Sequence, residues 1–176
     1  MTNYIPFDAL SETPWANGHG RKADIANGDG WSLAFAWLDR PAPFSDYAGV
    51  SRTITLVEGD GFVLDFTEHP PLHVSRIGAP ASFDGGWPAR CRLLGGPCCV
   101  LNAFSVKERW RHTVRVAAPG RIGPLRAGDF IVVLSGQAYL DGLVIGPRDS
   151  LVISDDASIS GSANGVLAMI RFDRQT

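Results

Sequence analysis

Short apolar runs, broken every few residues by Gly, Pro or Asp, dominate this chain, and apolar residues at helical spacing are nearly absent. That pattern commits the backbone to strands and turns, because successive strand side chains alternate between two faces. The candidate strands are Trp31–Leu38, Arg52–Val57, Phe62–Phe66, Leu72–Ile77, Ala89–Leu94, Cys98–Ala103, Trp110–Val116, Phe130–Leu134, Ala138–Ile145, Ser150–Ile153 and Val166–Phe172. Trp31, Leu33, Phe35 and Trp37 share one face, with Ser32, Ala34 and Ala36 on the other. So many strands at this spacing predict an all-β sandwich or barrel.

With 176 residues the chain can bury a sizeable core. A weak internal echo joins Ile54–Phe62 to Ile131–Tyr139, each reading as strand, Gly-containing turn, strand. Two copies of one barrel unit would produce it. The expected organisation is a single compact unit, residues 1–176, with approximate lobes 1–116 and 127–176. N-terminal strands would cross between the lobes, and Ala117–Arg126, rich in Gly and Pro, is the expected connection.

A net charge of −2 gives no reason to expect a nucleic acid or a membrane surface as partner. Lys22 and Lys107 are the lysines, and Lys22 is expected to be solvated. Met1 to Leu10 has no basic start or long apolar run, and no stretch is long enough to cross a bilayer as a helix. Cys91, Cys98 and Cys99 are odd in number and read as buried, reduced thiols of a cytoplasmic protein.

Arg52 is the most informative single residue. In the strand from Arg52 to Val57 it points the same way as Ile54 and Leu56, toward the apolar side. A guanidinium placed there needs an anionic or carbonyl partner. Either a bound small carboxylate or a structural salt bridge to Glu58, Asp65 or Asp84 would serve. Asn102 shares a face with Cys98, Val100 and Phe104, where its amide either bonds the backbone or donates to a ligand. The Gly-rich Trp15–Gly20 segment reads as a loop, either a lid over a barrel mouth with Trp15 as floor or a cover for a sheet edge. Phe44 and Ser45 follow Pro41 and Pro43, a rigid approach in which Phe44 reads as core and Ser45 as the cap of a short helical turn at Asp46 and Tyr47.

Catalytic and metal-binding patterns are weak. His69 and His73 are separated by Pro70 and Pro71, which bar both a helix and a regular strand, so no metal site is assembled. His112 reads as a core or rim histidine. No Ser-His-Asp set, Gly-x-Ser-x-Gly elbow or phosphate-binding glycine loop is present. No cofactor is expected. An enzyme would need an acid or base beside Arg52, and His19, His112 and Lys107 are the candidates.

Three stretches stand apart from ordinary strand sequence. They are Pro14-Trp-Ala-Asn-Gly-His-Gly-Arg-Lys22; Trp31-Ser-Leu-Ala-Phe-Ala-Trp with Ala42-Pro-Phe-Ser-Asp-Tyr-Ala-Gly-Val-Ser-Arg52; and Phe83-Asp-Gly-Gly with Leu93-Leu-Gly-Gly-Pro and Leu101-Asn-Ala-Phe. In this order and spacing the chain resembles the HutD/Ves family of small bicupins, closely over residues 10–110. Trp15, Asn17, Gly18, Gly20, Phe44, Ser45, Gly49 and Arg52 match that family's pattern. His19 replaces a glycine, Ala48 a proline, Gly86 a turn aspartate, Val100 an acid and Phe104 a methionine, while Val106 and Lys107 stand near a basic pair.

The resemblance implies a bicupin, two double-stranded β-helix or jelly-roll barrels in one chain. It also implies a link to histidine utilisation and a small anionic ligand of the urocanate, formylglutamate or formate type. The residues carried over as ligand-binding are Arg52, Asn102, Trp15, Asn17, His19, Phe44 and Ser45. The expected role is a regulatory binding protein. A cupin enzyme (isomerase, hydrolase or oxygenase) on a small carboxylate is the alternative. A structural or interaction module is a further one, in which Tyr4-Ile5-Pro6-Phe7 adds to a partner's sheet edge in a homodimer.

Overall fold

A computed structural model of the chain describes residues 2–15, 18–44, 46–117 and 121–176. In chain order the strands begin with β1 (Asn3–Ile5), β2 (Glu12–Pro14), β3 (Arg21–Gly28), β4 (Trp31–Leu38), β5 (Ala42–Phe44) and β6 (Val50–Glu58). There follow β7 (Phe62–Phe66), β8 (Leu72–Val74), β9 (Pro80–Asp84), β10 (Ala89–Leu93), β11 (Cys98–Val106) and β12 (Trp110–Ala117). The last are β13 (Arg121–Leu125), β14 (Phe130–Ser135), β15 (Ala138–Leu140), β16 (Leu143–Ile145), β17 (Ser150–Val152), β18 (Ala157–Gly161) and β19 (Val166–Arg174). One short 3-10 turn spans Phe7–Ala9.

The chain divides into two compact units, Ser11–Arg111 with Arg174–Thr176, and Met1–Leu10 with His112–Asp173. In the first, a six-stranded sheet in the order β2-β3-β4-β11-β6-β9 is accompanied by a four-stranded sheet in the order β5-β10-β7-β8. Their inner faces share one core. Ile54 and Leu56 of β6 and Val100 of β11 cluster with Phe62 and Leu64 of β7 and Cys91 of β10.

The second unit is built alike, from a five-stranded sheet β1-β17-β14-β19-β12 and a four-stranded sheet β13-β18-β15-β16. Its core is almost wholly aliphatic, with Ile131, Val133, Leu151 and Leu167 meeting Ile122, Leu125, Ile145 and Ile159. The echo seen in the sequence has a structural counterpart. Ile54–Phe62 runs from β6 in the larger sheet of one unit into β7 of its smaller sheet, and Ile131–Tyr139 does the same through β14 and β15.

Several strand expectations need correction. Ala138–Ile145 is two strands, because Asp141 and Gly142 both take positive φ, 49° and 82°, and close a two-residue hairpin. Ala117–Arg126 is more than a connection, since it contains β13, whose Ile122 and Leu125 are buried. β3 escapes a periodicity reading because its buried residues are few, Ala23 and Ile25, and its register shifts between Asp24 and Ala26.

One buried ion pair organises the second unit. Asp129, only 1% exposed in its side chain, accepts from Arg171 Nε and Nη2 at 2.6 Å each and from the Arg126 backbone N–H at 2.8 Å. Asp129→Ala would leave a part-exposed guanidinium and an amide donor without their acceptor. Denaturant unfolding should show a loss of about 1–3 kcal/mol.

His112 on β12 is half-buried against Phe172, with ring centroids 5.8 Å apart. Burial pushes its imidazole down to about 4 from the ordinary 6.5. The unfolded chain therefore takes up this proton at a higher pH than the folded one. Stability should fall as pH drops from about 6.5 toward 4, and His112→Gln should flatten that part of a Tm-against-pH curve.

Candidate functional site

A cavity of about 260 Å³ opens inside the Ser11–Arg111 unit. Its origin lies in β4, whose face Ser32, Ala34, Ala36 and Leu38 lines the space. Three of those side chains are too small to fill the gap between two sheets about 10 Å apart. The bulky face of the same strand, with Leu33 and Phe35 fully buried, points the other way. Register then sets the rest of the wall. β11 places Val100, Asn102 and Phe104 opposite Ala36, Ala34 and Ser32. β6 places Arg52 opposite Phe104, with Ile54 opposite Asn102. Trp15, Lys22, Phe44 and Tyr47 complete the lining.

Arg52 is 6% exposed and lines this cavity. Its guanidinium carbon lies 4.5 Å from the Phe44 ring centre, 5.2 Å from Phe83 and 5.5 Å from Tyr47. Such faces attract a planar cation and replace part of its lost hydration. Nη2 also donates to Asn102 Oδ1 at a long 3.4 Å.

The three acids considered as partners for Arg52 are accounted for otherwise. Asp65 pairs with Arg92 at 3.2 Å, and Asp84 with Lys107. Glu58 is exposed six residues along the same strand, roughly 20 Å away. Burial pushes the Arg52 pKa down to about 10, with Tyr47 acting in the opposite sense. The net fall means that desolvation outweighs the charge compensation around it. At neutral pH the group is still a cation.

The residues named from the sequence are distributed as follows. Arg52, Asn102, Trp15 and Phe44 line one cavity. Phe44 is also core, 8% exposed, and meets Trp15 edge-on at 6.1 Å. His19 is half-buried beside the Gly18 turn and is not part of the lining. Asn17 and Ser45 lie outside the described residues. The short helical turn expected at Asp46 and Tyr47 is instead a β-turn, closed by Val50 N–H donating to the Tyr47 carbonyl at 3.2 Å, with Gly49 at φ +77°.

Lys22, expected to be solvated, is 40% exposed in its side chain but also borders the cavity. Tyr47 and the small face of β4 were missed as lining. The small–large alternation of Ser32 to Leu38 was the signal available for the latter. Tyr47 stacks on Phe104, with centroids 6.0 Å apart and planes 12° apart, at 43% exposure.

Gly20 keeps the Trp15 wall in place. A Cβ there would meet the Trp37 carbonyl oxygen at 2.8 Å and the Trp15 indole at 2.9 Å. Of these two, the backbone carbonyl can move least.

A packed β-sandwich unit with a hollow, aromatic-walled interior and one buried cation defines a cupin-like pocket protein. The chain belongs to the HutD family, whose model matches residues 8–169. A structure of HutD from Pseudomonas fluorescens SBW25, from a formate condition, superposes over the whole of both chains with a TM-score of 0.85 at 22% identity. A cupin 2 conserved barrel domain protein from Leptotrichia buccalis covers 98% of this chain and 96% of its own, with a TM-score of 0.62 at 13% identity. At those identities the likeness is one of fold.

An uncharacterized 21.2 kDa protein of Pseudomonas putida, named for its place in the hutC 3' region, is 33% identical over 105 residues. That match covers 56% of this chain and spans about half, 55%, of the relative's length. Val100 and Phe104, where the chain departs from the family pattern, both line the cavity. Among the described residues no helix is long and apolar enough to cross a membrane.

Substituting Gly20→Ala should displace the Trp15 indole from the cavity wall. The expected readout is a shift in tryptophan emission with only a modest change in Tm, because Trp15 and Gly20 are only partly buried.

Proposed function

We propose that this protein binds a small carboxylate in the Ser11–Arg111 unit and serves as a metabolite-responsive regulator of histidine breakdown. The observation that carries the reading is Arg52, a buried cation that lines a cavity large enough for a small metabolite. Keeping a guanidinium out of water costs free energy, and the downward move of its pKa to about 10 expresses that cost. Converted, it is roughly 3 kcal/mol against folding. A carboxylate entering the cavity would recover much of this through a bidentate, charge-assisted contact. Asn102 would add a polar contact, and Phe44, Tyr47 and Trp15 would form apolar walls around the remainder.

Family membership and the relative named from the hutC 3' region support a setting in histidine utilisation. Urocanate, formylglutamate and formate are the ligands to try first, with histidine as comparison. A protein with this pocket would report ligand concentration through occupancy.

The test is thermal shift with each of those four compounds on the native protein and on Arg52→Met. At least one carboxylate should raise the native Tm, since a ligand that selects the folded state must stabilise it. Arg52→Met should lose that response while its ligand-free Tm stays level or rises, because an apolar side chain of similar length removes the buried charge. An unresponsive native protein, or an Arg52→Met variant that responds equally, would overturn the proposal.

A further inference from the structure

Three rings surround the Arg52 guanidinium, and they are not equivalent. Phe44 and Phe83, centred 4.5 and 5.2 Å from its central carbon, are buried in the core. Tyr47, centred at 5.5 Å, is exposed, although the arginine against it is buried. Of the three, then, Tyr47 is the ring that stands between the cation and solvent. Displacing Phe44 or Phe83 would open a close-packed core, which resists it. Displacing Tyr47 would not.

Phe104 keeps the Tyr47 ring in its covering position. The two planes lie 12° apart and the centres 6.0 Å apart, a stacked pair. Phe104 stands opposite Arg52 on β11, where the family pattern has a methionine, so the support is a feature of this chain.

The backbone below the ring is tied down. Tyr47 N–H donates to the Gly85 carbonyl at 2.8 Å, and the Gly49 carbonyl accepts from Lys107 N–H at 2.9 Å. The Lys107 ammonium pairs with Asp84, whose other carboxylate oxygen accepts from Gly86 N–H at 2.9 Å. Gly85 is hemmed in as well, since a Cβ there would meet the Val50 carbonyl oxygen at 2.9 Å and Arg52 Cδ at 3.1 Å. The turn is held, while the side chain has one packed face and one wet one. Motion is therefore expected as a rotamer change of Tyr47, not as a shift of the turn.

We propose that Tyr47 is the gate of the cavity, its ring covering Arg52 while stacked on Phe104 and swinging off that stack to admit a solute to the guanidinium. This rests on the reading of Arg52 as the anchor and names what controls access to it. Covering needs the flat ring and not the phenol hydroxyl. An approach past Lys22, at another border of the cavity, is the competing route.

The gate is testable without any carboxylate. Phenylglyoxal modifies arginine side chains, and peptide mass mapping reads the rate at each. Arg90, exposed and outside the cavity lining, is the reference in the same sample. The lowered pKa of Arg52 would by itself speed its reaction, so a slow rate reports cover. In the native protein Arg52 should react roughly tenfold more slowly than Arg90, because only the open fraction is attacked. Tyr47→Ala should raise the Arg52 rate about fivefold and leave Arg90 unchanged. Tyr47→Phe should stay at the native rate, and Phe104→Met should give a smaller rise. Cys91, buried in the core of the same unit, should stay unreactive to iodoacetamide in every variant, which separates an opened gate from a loosened fold. Should Tyr47→Ala expose Cys91, Phe104→Met decides alone. An Arg52 rate equal in the native protein and these variants, or a native rate level with Arg90, refutes the gate and leaves the carboxylate reading standing. A native Tm unmoved by the four compounds above overturns the carboxylate reading and leaves the gate to its own test.

Discussion

Everything at the site depends on the small face of one central strand. β4 lies between β3 and β11, and its even-numbered residues from Ser32 to Ala36 project too little to meet the facing sheet. Close-packed interiors do not tolerate such a gap without cost, because the lining atoms forgo dispersion contacts. Here the gap is bordered by a guanidinium that ring faces partly shelter. Void and cation are linked. A larger residue at Ala34 would fill the space in front of Arg52, and a smaller one at Arg52 would leave the aromatic wall facing nothing.

The two units show what the same plan does when that gap is closed. In the His112–Asp173 unit, Ile131, Leu151, Leu167 and Met169 face Ile122, Ile145 and Ile159, large aliphatics at nearly every inward position. Its buried charge, Asp129, is held by a bidentate Arg171 and a backbone amide. In the Ser11–Arg111 unit the inward residues include Phe44, Phe62 and Phe83 beside alanines, and its buried charge looks onto open volume. One unit holds its ion in a bidentate pair, and the other shelters it under ring faces at the edge of a cavity. That contrast distinguishes a scaffold from a site more firmly than either residue inventory would alone.

Much of this was legible in the residues. The inward phase of Arg52 followed from its place two and four residues before Ile54 and Leu56, and strand pairing preserved it. Asn102 joined it because β11 carries the same two-residue period one strand away. What periodicity could not supply was depth. Trp31, Leu33, Phe35 and Trp37 form the larger face of β4, yet the cavity lies behind Ser32, Ala34 and Ala36. A strand buried on both faces gives no polarity by which to choose. Lys22 is solvent-exposed as expected, and only the register of β3 against β4 reveals that it also borders a pocket.

Those register facts also bear on how this chain differs from its family pattern. The β11 stretch carries Val100 and Phe104 where that pattern has an acid and a methionine, so its contribution to the wall is apolar apart from Asn102. Position 100 pairs with Leu56, four residues along from Arg52 on the same face, so the apolar Val100 leaves that stretch of wall without a charge. The polar equipment of the cavity is thereby shifted to its two ends, Arg52 on β6 and Lys22 on β3, with alanine and valine between. At the Lys22 end the charge is offset by Asp24, whose two carboxylate oxygens accept from the ammonium at 2.8 Å each. For any solute that enters, charge sign would then discriminate more than added contact area.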